Sequence, residues 1–141
     1  TYTLPGMPLI YSGQEAGLAK RLKFFTKDTI DWNGNDHSAF YKSLNALKHR
    51  SEALWNAPYG GTFEQIKNSE PLKIMSFIRE KGSSRVLVIA NLTAEKVTLN
   101  LKGSKADSDY HDVFANADFT VNSSNLNLTL QPWGFMVLEK K

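Results

Sequence analysis

From Gly61 onward the chain reads as a series of short segments, alternating or rich in β-branched and aromatic residues, each closed by a turn signal. This pattern limits the fold more than any other feature of the sequence. Candidate strands cover 62–66, 72–79, 85–91, 96–101, 110–114, 126–130 and 135–139. Between them, Glu80-Lys81-Gly82-Ser83-Ser84, Lys102-Gly103-Ser104 and Gln131-Pro132-Trp133-Gly134 are turns by residue type. Glycine supplies positive φ at little steric cost, and proline presets φ for a turn corner. Thr93-Ala94-Glu95 is a shorter polar break, and residues 116–125, rich in Asn and Ser, read as a loop or an edge strand. Strands spaced by roughly 8–12 residues without helical patterns between them form antiparallel sandwiches. The expectation is a mainly β chain, with a Greek-key-like antiparallel β-sandwich over 58–141.

Upstream the period changes. Phe40, Leu44 and Leu47 recur three to four residues apart, with Tyr41, Ala46 and Leu54 widening the stripe, which predicts an amphipathic helix over 36–54. Asn35, Asp36 or Ser38 would cap its start, and His49 and Arg50 suit the carbonyl end of its dipole. Ala57-Pro58-Tyr59-Gly60-Gly61 ends it. Such a helix is marginal alone and needs an apolar partner for its stripe.

Met7-Pro8-Leu9-Ile10-Tyr11 shows no alternation, so a strand over 6–12 would need cover on both faces, as in a parallel sheet flanked by helices. Ser12-Gly13-Gln14-Glu15 then leaves that strand at its carboxyl end, where parallel α/β enzymes carry their chemistry. The segment reads as the last strand of a larger sheet. A basic stretch at Lys20, Arg21 and Lys23 and the turn Asn33-Gly34-Asn35-Asp36 make an ordered loop between strand and helix.

Composition excludes several classes. The formal net charge of +3 is spread along the chain, and no RNA- or DNA-binding motif accompanies Lys20, Arg21 and Lys23, so nucleic acid is not an expected partner. No apolar stretch approaches the roughly 20 residues of a membrane span. The absence of cysteine removes disulfides, thiol catalysis and cysteine-ligated zinc.

Several motifs in order, "LPGMPLIYSGQEAG", "IDW", "FYKSLNALKHRSEAL", "IMSFIRE", "RVLVIANLT" and "LQPWGFMVLEKK", resemble the carboxyl-terminal part of the alpha-amylase family of glycoside hydrolases over nearly the whole chain. In that family an eight-stranded β/α barrel is followed by an antiparallel β-sandwich. The resemblance implies that residues 1–57 hold the last barrel strand and helix, that 58–141 are the carboxyl-terminal domain, and that the rest of the barrel lies in a longer protein ahead of Thr1. It implies an enzyme of α-glucan, such as starch or maltodextrin, in which this chain braces the barrel.

Retaining glycoside hydrolysis needs one carboxyl group to protonate the leaving oxygen and a second to act as nucleophile. The resemblance places both, and a supporting Asp, upstream of Thr1, so no residue of this chain is expected to be catalytic. It puts Tyr11, Gln14 and Glu15 at the barrel rim, where they would orient loops or touch sugar rings away from the scissile bond. Asp28, Asp31 and Asp36 lack the alternation and distal Glu of a calcium loop, and His37, His49 and His111 lack metal-ligand spacing. No metal or cofactor is expected. Asn91-Leu92-Thr93, Asn122-Ser123-Ser124 and Asn127-Leu128-Thr129 fit the glycosylation pattern, which an Asn-rich chain meets often by chance.

A second functional class stays open. Trp32, Trp55, Tyr59, Trp133 and Phe135 include flat rings suited to the apolar faces of pyranoses, which would make the sandwich a non-catalytic carbohydrate-binding module. Packing of these rings within the core is the competing reading. The unpaired strand at 7–11 is expected to fold back on the helix or to pair with a second copy of the chain.

Overall fold

A computed structural model describes residues 1–33 and 36–141. Helix α1 (Ser38–Arg50) and a 3₁₀ turn (Glu52–Leu54) precede eight strands: β1 (Thr62–Gln65), β2 (Ile74–Lys81), β3 (Ser84–Asn91), β4 (Val97–Leu99), β5 (Ser108–Asp112), β6 (Ala117–Val121), β7 (Leu128–Leu130) and β8 (Phe135–Lys140). A 6-stranded sheet runs β1-β2-β3-β8-β5-β6, and β4 pairs with β7 in a 2-stranded sheet. Every named pairing is antiparallel. The chain leaves the large sheet after β3, makes β4, returns for β5 and β6, crosses again for β7 and comes back at β8 beside β3.

The strand pattern of the sequence is met element by element, with shifts of one or two residues at several ends. The undecided stretch at 116–125 contains an edge strand, β6. Its Asn- and Ser-rich end forms the next turn, where Asn122 Oδ1 accepts from the Ser124 N–H at 3.1 Å. Between β2 and β3 only Gly82 and Ser83 turn the chain, and Gly82 supplies the φ of 56° that the tight hairpin requires.

Strands β2 and β3 are buried on both faces, and the two faces explain the architecture. Ile78, Leu87, Ile89 and Leu138 point toward Val97, Leu99 and Leu130 of the small sheet and form the sandwich core. On the opposite face Phe77, Val86, Val88 and Val137 pack against Leu47 and Leu54, so the helix stripe is covered by the outer face of the sandwich. Arg50 at the end of α1 adds a fork, donating from Nε at 2.8 Å and Nη2 at 2.7 Å to Glu139 of β8.

The helix is shorter than the spacing predicts. It ends at Arg50 because Ser51 is extended (φ −90°, ψ 108°) and turns its hydroxyl to the Ser84 hydroxyl, 3.0 Å away, while the Ala53 N–H donates to the same Ser84 oxygen. This tertiary tie turns Ala53 and Leu54 into the sheet. At the other end Asp36 Oδ1 accepts from the Ser38 N–H at 2.8 Å, and His37 is the residue at the cap position. The Ser38 hydrogen bonds hold the Asp36 carboxyl below the usual carboxylate range. Asn35, the third cap candidate, and Gly34 of the predicted turn lie outside the described residues.

The largest departure concerns residues 6–12, which form no strand. A strand exists only where a neighbour completes its ladder, and the strands of the sandwich pair with one another instead. Residues 1–11 run beside α1: Tyr2 is buried with its ring centroid 6.2 Å from that of Tyr41, and Lys48 Nζ reaches the Gly6 carbonyl at 3.4 Å. Folding back was the expectation, yet Met7 and Leu9 remain 82% and 79% exposed.

Candidate functional site

The rim residues form a compact turn. Gln14 N–H donates to the Tyr11 carbonyl at 3.0 Å, and the Tyr11 N–H donates to Gln14 Oε1 at 2.6 Å, so the Gln14 side chain closes the turn that its backbone begins. Gly13 suits this turn because its φ of 90° is a backbone conformation that L side chains rarely adopt. Glu15 is fixed through its carbonyl, which accepts from the His37 N–H at 2.7 Å, and its Oε2 is buried without a hydrogen-bond partner. Tyr11, Gln14 and Glu15 are therefore brought together on one turn, with the Tyr11 ring exposed.

The loop carboxylates serve the backbone. Asp28 accepts from Lys20 Nζ at 2.8 Å and from the N–H groups of Lys23 and Thr29, which holds its carboxyl far below the usual carboxylate range, the Lys20 bond contributing most. Asp31 accepts from the Asn33 N–H at 2.9 Å. Among the described residues no group of three His, Asp or Glu side chains is placed to hold a metal ion. His111 sits 3.5 Å from Asp118.

Two cations meet beneath the amino-terminal segment. Arg79, from β2, is 2% exposed; Nη1 donates to the Thr3 carbonyl at 3.3 Å and Nη2 to the Gly61 carbonyl at 3.1 Å, while Nε has no partner. Lys48 donates to the Leu54 carbonyl at 2.6 Å. Burial pushes both groups down from their ordinary values, and for Lys48 the nearby Arg79 charge adds to it.

The feature with the shape of a binding site lies between α1 and the sandwich. It is a cleft of about 400 Å³. Phe40 of α1, Phe114 after β5 and Phe135 of β8 form its aromatic wall: Phe40 and Phe114 stack with centroids 5.1 Å apart, and Phe135 meets Phe114 edge-on at 5.2 Å. Trp133 stands at the mouth, 62% exposed, with φ 56°. Its turn is locked by Asn91, whose Nδ2 donates to the carbonyls of Gln131 at 2.9 Å and Glu95 at 2.6 Å, and by the Trp133 N–H to the Thr93 carbonyl at 3.0 Å. Asn91 is buried and fully engaged, so the first of the three glycosylation patterns is closed by packing.

Of the aromatics singled out in the sequence, Trp133 and Phe135 meet in this cleft. Trp55 lies elsewhere, with its Nε1 donating to the His49 carbonyl at 3.2 Å and Lys81 Nζ 5.2 Å from its ring centroid. The parts that sequence reasoning missed are Phe114 and the site role of Phe40. Phe114 follows a strand that reaches β8 only through sheet pairing, and no local spacing signals that neighbour.

Residues 63–137, more than half of the chain, match the family model described as Maltogenic Amylase, C-terminal domain. The chain belongs to this family. Neopullulanase 2 of Thermoactinomyces vulgaris is 26% identical over 96% of this maltogenic amylase C-terminal-domain chain and 23% of its own length. The alpha-amylase MalA of Haloarcula japonica is 24% identical over 90% of the chain and 20% of its own length. The chain thus spans about a fifth of the curated relatives it matches. The fold is shared with a noncanonic maltogenic alpha-amylase, AmyB, from Thermotoga neapolitana, at 20% identity and a TM-score of 0.79, over 99% of this chain and 34% of that one. That likeness includes α1 and the amino-terminal segment as well as the sandwich.

Proposed function

We propose that these 141 residues are the carboxyl-terminal part of an alpha-amylase-family glycosidase of α-glucan, with the reacting carboxylates on a β/α barrel supplied by sequence ahead of Thr1. The observation that carries this reading is the family match over 63–137 together with the small share of each relative that the chain spans. In this reading residues 1–57 contribute the last barrel strand and helix. The exposed side chains of Met7, Leu9 and Tyr11 meet neighbouring barrel strands, which would supply the ladder that residues 6–12 lack here.

The chain's own part in the chemistry is mechanical. Leu47 and Leu54 couple the barrel helix to the sheet, and the Arg50–Glu139 fork fixes the end of that helix. The turn at 11–17, stiffened by Gly13 and the Gln14 side chain, holds Tyr11, Gln14 and Glu15 at the rim, where they contact sugar rings remote from the bond being cleaved. Acid and nucleophile act from upstream, protonating the leaving oxygen and attacking the anomeric carbon. Incubating the 141-residue chain with maltodextrin and following new reducing ends tests this division of labour. The expected result is no release above buffer; turnover by the chain alone, abolished by Glu15→Gln, would refute it.

A further inference from the structure

We propose that the cleft between α1 and the sandwich binds the pyranose rings of an α-glucan, with Trp133 as its stacking platform. The proposal rests on the α-glucan reading above and adds a sugar site carried by the sandwich itself. Its size suits a short oligosaccharide, since small-molecule sites commonly run from roughly 300 to 1,000 Å³ and combine an apolar lining with a few polar groups. Here Phe40, Phe114 and Phe135 supply the apolar wall, and Gln14, Thr3 and Tyr41 bring an amide and hydroxyls to the edge. Among the described residues that line it there is no Asp, Glu, Lys or Arg. A neutral ligand rich in hydroxyl groups fits a cleft whose lining side chains carry no charge.

The conformation of Trp133 is the second, independent observation. A bulky side chain at φ 56° is uncommon, because its Cβ crowds the backbone, and the turn would be relaxed by glycine at that position. Such strain persists only where surrounding contacts impose it, and it concentrates at ligand sites. The Asn91 hydrogen bonds to Gln131 and Glu95, with the Thr93 carbonyl on the Trp133 amide, do the imposing. They hold a large flat ring in solvent beside an aromatic wall.

Titration calorimetry of the 141-residue chain with maltotriose tests the site. Trp133→Ala and Trp133→Gly serve as probes, Phe25→Ala as a distant exposed control, and cellotriose as the β-linked comparison. The expectation is one site for maltotriose, weakened about tenfold or more by either Trp133 change and unaltered by Phe25→Ala. Trp133→Gly should leave the melting temperature equal or higher while it removes binding, whereas a packing role would lower both. No heat with maltotriose, equal affinity in Trp133→Ala, or equal affinity for cellotriose overturns the proposal. So does a Trp133→Ala chain whose sedimentation changes without any change in sugar binding, which would assign the cleft to a second copy. Hydrolysis of maltodextrin by the complete gene product without binding here would sink this cleft alone; binding here without that hydrolysis would sink the glycosidase reading alone.

Discussion

Arg79 Nη1 donates to the Thr3 carbonyl at 3.3 Å, so a guanidinium buried in the second strand of the sandwich holds chain that lies 76 residues earlier. The same group reaches the Gly61 carbonyl, tying the amino-terminal segment, the end of the helical region and the sheet at one point. Arg79→Ala should cost about 2–4 kcal/mol, since it empties buried volume and strands two carbonyls. Arg79→Met, which keeps much of the volume and removes a desolvated charge, should cost less. Urea denaturation gives the magnitudes. Amide exchange should show faster opening at residues 2–6 in both variants; unchanged protection there would contradict the tie.

The seam between helix and sheet sets a second expectation. Leu47 is fully buried against Phe77, Val86 and Val88, whereas Phe40 keeps 38% of its surface exposed at the cleft wall. Leu47→Ala should therefore lose about 2–5 kcal/mol, and Phe40→Ala no more than about 2 kcal/mol. Thermal denaturation of the two variants orders them, and equal losses would mean that the helix is not seated by its Leu47 face.

Asp28 makes the connecting loop sensitive to acid. Its carboxyl lies below the ordinary value in the folded chain, chiefly through Lys20, so the unfolded form binds the proton more readily. The loop's order is then fully present above the unfolded carboxylate value of about 3.9 and is lost progressively as pH falls from there toward the depressed folded value. NMR titration of Asp28 should show a midpoint well below the ordinary carboxylate value of about 3.9. Asp28→Asn should loosen residues 20–29 at neutral pH without shifting the melting of the sandwich.

Met7, Leu9 and Tyr11 leave apolar surface open beside α1. A chain carrying this surface should self-associate as its concentration rises, because exposed apolar segments with unpaired backbone recruit partners. Leu9→Lys should return it to monomer in sedimentation velocity. A wild-type chain that stays monomeric at the highest concentration reached would show that folding back along α1 is cover enough.

The sequence made the sandwich readable because turn residues and short segments that alternate or are rich in β-branched and aromatic residues are local signals. Residues 84–91 alternate between two buried faces, and the need for a second layer, later filled by Leu47 and Leu54, was already implied by the helix stripe. The strand expected over 6–12 shows the limit of that reasoning. Its lack of alternation states that cover is needed on both faces, but a ladder depends on neighbours that these 141 residues do not provide. The early end of α1 had the same kind of cause, a hydroxyl pair between Ser51 and Ser84 that no helical propensity encodes. At the cleft, Trp133 and Phe135 were visible as adjacent aromatics, while Phe114 joined them only through the pairing of β5 with β8 and Phe40 only through the seating of α1 on the sheet.

The most direct test of the central claim is the maltodextrin-hydrolysing activity of the product of the complete reading frame that contains these residues, measured beside the 141-residue chain. The account predicts that the complete product releases reducing ends, that the 141 residues alone release none, and that deleting 58–141 lowers the temperature at which activity is lost. A complete product that leaves maltodextrin intact, or a 141-residue chain that cleaves it unaided, would contradict the account.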